Sequence, residues 1–118
     1  MRQSIFVSVI VLLVCCDQRQ DICGDVKVTY NDNIMNIIEE SCNNGSCHVG
    51  LIEGWGVLPD FSTYKNLLPY LENNQIGSRI NITNSNLRMP PVFIEERTIS
   101  DSDLALLNIW LCYGYPED

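Results

Sequence analysis

The residues of this 118-residue chain best suited to chemistry fall in one short run, Cys42-Asn43-Asn44-Gly45-Ser46-Cys47-His48. His48 is the only histidine in the sequence, and it directly follows a cysteine. A Cys-His pair closing a two-cysteine cluster is the signature of covalent haem attachment: two thiols add across the two vinyl groups, and the adjoining imidazole reaches the iron from one side of the ring. The common spacing places two residues between the thiols, whereas here there are four. Asn43, Asn44, Gly45 and Ser46 suit a looped-out insert, because Gly and Asn tolerate positive φ and Ser and Asn bond to nearby backbone. Two other chemistries fit the same residues. One is a Cys42–Cys47 disulfide beside an incidental histidine. The other is a zinc site completed by Cys23, Cys112 or carboxylates.

The elements that would position this run can be read on both sides of it. Ile34, Ile37 and Ile38 recur at helical spacing, with Asp32 or Asn33 as cap, which predicts a helix over 33–41 leading into Cys42. Residues 49–60 are rich in glycine and proline and read as loop. Ser62 is a candidate cap for a second helix through Leu71, with Pro69 marking its last turn or a break. A further helical turn is expected over 77–82, followed by an irregular stretch around Met89-Pro90-Pro91. The run Ser100-Asp101-Ser102-Asp103 caps a third long helix, with Leu104, Leu107, Trp110 and Leu111 on one face and Gly114 ending it. No strand alternation stands out, and there is no internal repeat.

Length sets a single domain. The net charge is −8, from 15 acidic against 7 basic residues. Nucleic-acid binding is therefore not expected, since it needs a basic stripe. An acidic surface suits solubility and steering toward a basic partner. At the N-terminus Arg2 precedes an apolar run over 5–14 that is too short to span a bilayer and has the length of a signal-peptide core. It ends at Cys15 and Cys16. This resembles a bacterial lipoprotein signal, which implies lipidation of Cys16; Cys15 stands where Gly, Ala or Ser is usual. The expected organisation is a signal segment over 1–16, a tether over 17–27 and a domain over 28–118. Export, to the periplasm or cell envelope, would place the remaining cysteines in an oxidising compartment.

Taken together, these residues resemble the small bacterial, class I-like c-type cytochromes over most of the mature chain. Val28-Thr29-Tyr30 is similar to the lead-in of that family's first helix. Ile37-Ile38 followed by Cys42 to His48 matches the first helix and haem loop, in the extended form found among lipoprotein-borne members. Leu58-Pro59-Asp60-Phe61-Ser62-Thr63-Tyr64 resembles the start of the middle helix. Met89-Pro90-Pro91 resembles the loop supplying the sixth iron ligand, and residues 109–116 resemble the closing helix end. The long thiol spacing, Cys112 and Tyr115 depart from the commonest pattern. The resemblance implies an all-α, cytochrome c-like fold of three main helices and long loops around one haem c. It implies attachment at Cys42 and Cys47 and axial ligation by His48 and Met89; Met35, on the first helix, is the other methionine available. In that fold the first and last helices cross near the chain ends, which brings Cys23 and Cys112 together as a candidate disulfide. Trp110 and Leu107 are then core, and Trp55 covers a haem edge or a contact patch.

The implied function is single-electron transfer to redox partners with basic docking surfaces, at a membrane reached through the N-terminal lipid. No catalytic residues are expected, since the chain has no second histidine and no evident acid/base pair. Two alternatives stay open at this point. One is a haem-free, disulfide-stabilised structural lipoprotein. The other is a haem subunit of a larger oxidoreductase or peroxidase-like complex.

Overall fold

The computed structural model describes residues 23–43, 47–52, 56–84, 86–91 and 98–118. The expected signal segment with Cys15 and Cys16, most of the tether, the loop residues 44–46 and Trp55 lie outside them. No helix among the described residues is long and apolar enough to cross a membrane.

The chain enters the fold at Thr29, whose extended backbone and hydroxyl cap the first helix by accepting from the Asp32 N–H. This helix, α1, covers residues 30–43 in three parts. Tyr30–Ile34 is π-wound, Met35–Ile38 is α-helical, and Glu39–Asn43 is π-wound again. The wide first turn is visible in the Ile34 N–H bond back to the Thr29 carbonyl (3.2 Å). The expected helix over 33–41 is thus present but longer at both ends. Its buried face carries Tyr30, Ile34, Ile37 and Ile38.

The expected loop over 49–60 is instead a β-hairpin. Strand β1, Val49–Ile52, pairs antiparallel with β2, Gly56–Asp60. Its register sets Val49 opposite Asp60, and Leu51 and Ile52 opposite Val57 and Gly56, with a bulge between Val49 and Leu51. Gly50 sits in that bulge at φ +93°, a conformation that glycine adopts without strain. Pro59 is tolerated because a two-stranded sheet consists only of edges. The all-α, cytochrome c-like, three-helix expectation is therefore corrected. The described residues form a mixed α/β domain of four helices and one two-stranded antiparallel sheet. The misreading came from the glycines and Pro59, which break the alternation that marks a strand.

Thr63, not Ser62, caps α2 (Tyr64–Glu72), accepting from the Asn66 N–H, and Pro69 lies inside this helix. Helix α3 (Gln75–Asn81) follows after Asn74 in the left-handed region (φ +53°). Gly77 lets α3 approach the last helix closely, as a Cβ there would meet Leu111 Cδ1 at 3.4 Å and Asn74 Oδ1 at 2.6 Å. Helix α4 (Asp101–Cys112) is capped by Ser100, which accepts from the Asp103 N–H, and Gly114 at φ +82° follows its end.

The core joins α1, α2, α3 and α4. Trp110, Ile34, Ile38, Leu67, Leu107 and Val28 are almost completely buried. Each contributes about 1.5–3 kcal/mol relative to exposure. Trp110 packs beside Tyr30 and Tyr115, and its indole N–H donates to the Pro116 carbonyl (2.9 Å). The chain ends are tied together. Tyr30 and Asn31 N–H groups donate to the carbonyls of Pro116 and Glu117, and the Tyr113 hydroxyl donates to the Gly24 carbonyl. Cys23 and Cys112 form a disulfide with their Cα atoms 5.6 Å apart, as the resemblance implied.

Candidate functional site

The C-terminal part of α1 delivers Cys42 and Asn43, and the chain returns four residues later at Cys47. Two backbone bonds close the loop between them. The Cys47 N–H donates to the Asn43 carbonyl (3.2 Å), and the His48 N–H donates to the Cys42 carbonyl (3.1 Å). The long spacing between the thiols is thereby absorbed without moving either end away from the other. Cys42 and Cys47 form no disulfide with each other and are both half-buried. Cys42 packs against the hydrophobic core. Burial, with a smaller contribution from the neighbouring Cys47, pushes the Cys42 thiol up to about 12. It is a neutral thiol at physiological pH.

The hairpin missed in the sequence is what holds His48. The Phe61 N–H donates to the His48 carbonyl (2.8 Å), continuing the β1–β2 ladder by one step. His48 Nδ1 lies 3.1 Å from the Pro59 carbonyl on β2. A carbonyl can only accept, so Nδ1 carries the proton and Nε2 keeps its lone pair. Phe61 fixes the ring from one face, stacked at 4.1 Å between centroids and 10° between planes. Phe61 is itself held edge-on by Tyr70 of α2. Burial lowers the His48 pKa, opposed in part by the Pro59 bond, and favours the neutral imidazole that binds metals.

Asp60 ends β2 and anchors the next turn. Its two carboxylate oxygens accept from the Ser62 N–H (2.9 Å) and the Asn66 side-chain amide (3.2 Å). The Ser62 bonds chiefly hold its pKa below the usual range. The chain from His48 to α2 is thus fixed by hydrogen bonds at Phe61, Pro59 and Asp60 in turn.

The structure brings Cys42, Cys47 and His48 into one closed loop. Met89 belongs to a different segment, which is fastened to α3. The Met89 N–H donates to the Arg79 carbonyl (3.0 Å), and the Arg79 guanidinium donates to the Leu87 carbonyl (3.1 Å). The Met89 side chain is 39 % exposed. Met35 also lies on the surface rather than in the core. Three residues that shape the site escaped the sequence reading: Pro59 as acceptor, Phe61 as stacking partner, and Asn43 as a buried polar side chain. The available signal was two short apolar runs around Glu53-Gly54-Trp55, a spacing that favours a hairpin and hence a partner strand for His48.

Among the described residues, no three His, Cys, Asp or Glu side chains converge on a point that could hold a metal ion. No protein-family model, no curated protein and no solved structure matches this chain.

Proposed function

We propose that the chain is a mono-haem c-type electron carrier, with the haem held through Cys42 and Cys47 and its iron bound by His48. The observation that carries this reading is the His48 bond to Pro59, which commits Nδ1 and leaves Nε2 as the one ring nitrogen able to bind iron. The rest of the donor set fits. Two thiols precede the imidazole in sequence on a loop closed by backbone bonds, and they form no disulfide with each other.

The same geometry disfavours zinc. A tetrahedral site needs thiolates and imidazole within about 2.0–2.3 Å of a single point. Among the described residues the side chains do not converge, and Cys23 and Cys112 are committed to each other. Cys42 and Cys47 would instead hold a haem through its vinyl groups, with His48 as a ligand to its iron.

Bound haem would supply reversible one-electron exchange at its iron. The protein's part is to hold and orient. Phe61 and Pro59 prevent rotation of the imidazole, and its second nitrogen stays protonated. Met89, exposed on the segment fastened to α3, would supply the second protein ligand to the iron. The acidic surface favours approach by basic partners. Export with a lipid on Cys16 would confine the carrier to a membrane face. These assignments describe a carrier rather than an enzyme.

The test is a redox titration of the protein purified from cells that carry haem-maturation machinery. One reversible one-electron wave with a low-spin spectrum is expected. In Met89→Ala the potential falls and the methionine-to-iron charge-transfer band disappears. A colourless product would remove the proposal and leave a disulfide-stabilised lipoprotein.

A further inference from the structure

Beside the haem loop, α1 and the hairpin enclose an open groove of about 730 Å3. That lies within the ~300–1,000 Å3 common for ligand sites. Its buried residues are Tyr30, Phe61 and Asn43, and the exposed side chains of Met35 and Val49 add apolar rim. Glu39 and Glu40 supply two carboxylates, and no Lys or Arg is among the lining residues.

Asn43 gives this acidic, apolar groove a direction. The residue is 8 % exposed, and its Oδ1 is buried with no hydrogen-bond partner among the described residues. An amide oxygen left in that state forfeits its hydration with nothing in exchange, so native structures rarely keep one without a use. The oxygen can only accept, so its missing partner is a donor. Asn43 is itself among the residues that line the groove.

We infer that this groove receives an arginine side chain presented by a basic protein partner. Guanidinium is planar, carries five N–H donors, and is weakly enough hydrated to enter a partly apolar site. It can satisfy the Asn43 oxygen and a Glu39 or Glu40 carboxylate together, with its methylene stem against Met35 and Val49. A lysine ammonium is more strongly hydrated and lacks the planar fork. The groove belongs to the fold itself. The haem reading adds only that the partner would be a redox protein.

The probe is triarginine amide, titrated into the purified full-length protein and followed by the methyl resonances of Met35 and Val49. Trilysine amide and tricitrulline amide, the latter neutral and nearly isosteric with arginine, are the controls. Saturable shifts at both methyls are expected with triarginine, weaker ones with trilysine and none with tricitrulline. E39Q/E40Q, which changes two exposed side chains only, weakens the arginine peptide by about tenfold. Asn43→Ala weakens it while leaving the carboxylates in place. Equal affinity for E39Q/E40Q and the unaltered protein, or binding that leaves the Met35 and Val49 methyls unmoved, overturns the inference. The readout is independent of absorbance, so a product that stays colourless with the maturation machinery present sinks the haem proposal, and triarginine binding by that same product spares this one.

Discussion

Replacing both halves of the Cys23–Cys112 disulfide with alanine should destabilise the domain severely while leaving its fold recognisable. The two cysteines are 89 residues apart in sequence. Opening a loop of that length returns chain entropy to the unfolded state worth about 4.5 kcal/mol. Little of this is offset in the folded state, because the ends remain joined by Tyr30 to Pro116, Asn31 to Glu117 and Tyr113 to Gly24. For a domain of this size the loss corresponds to a fall in Tm of roughly 20–35 °C. The assay is urea unfolding of the double variant, followed by tryptophan fluorescence and far-ultraviolet circular dichroism. The midpoint should drop sharply. The denaturant slope should rise as well, since an uncrosslinked unfolded chain exposes more surface. A change in unfolding free energy below about 1 kcal/mol, with an unchanged slope, would refute the reasoning that the bond acts on the unfolded chain.

Three further perturbations probe separate parts of the structure. Trp110→Ala empties the fully buried centre between α1 and α4 and removes one of the two donors to the Pro116 carbonyl, so calorimetry should show a loss of about 3–5 kcal/mol; a loss under 1 kcal/mol would mean that Trp110 is not core. Ser100→Ala removes the cap on the Asp103 N–H and should cost about 1 kcal/mol, whereas Ser100→Gly should cost only a few tenths; equal losses would contradict a capping role. Burial, followed by the charge of Glu117, raises the pKa of both Tyr30 and Tyr64. A phenol whose folded pKa lies above its unfolded value contributes stability that is complete below the unfolded pKa of about 10 and is lost as pH rises through the folded one. Urea midpoints should therefore fall above about pH 10, and Tyr64→Phe, which also loses the bond to the Tyr115 carbonyl, should flatten part of that fall.

Where the sequence could be read, local chemistry pointed in one direction. Ser100 begins α4 because its hydroxyl caps, and Gly114 follows its end because it adopts positive φ. The isoleucines of α1 and the Leu107–Trp110 face of α4 meet in the core as their spacing implied. Cys23 and Cys112 pair because those two helices carry the chain ends together. The hairpin stayed hidden for a physical reason. Its strands are four and five residues long, carry Gly50, Gly56 and Pro59, and are held by pairing with each other. Pairing of that kind leaves little trace in either strand alone. The consequence for the site was large, because Pro59 and Phe61 reach His48 only through the β1–β2 ladder. The extent of α1 was also underestimated. Thr29 caps it four residues ahead of the expected start, and its π-wound turns do not follow the 3.6-residue period.

The central claim is a covalent bond between haem and the thiols of Cys42 and Cys47. Its most direct measurement is the intact mass of the protein, matured with haem-attachment machinery and then denatured in acid, together with the mass of its Cys42–Cys47 peptide. One haem added to the polypeptide is expected, located on that peptide, with absorbance bands that survive denaturation and extraction. A polypeptide at its bare mass, with Cys42 and Cys47 both open to alkylation or bridged to each other, would contradict it.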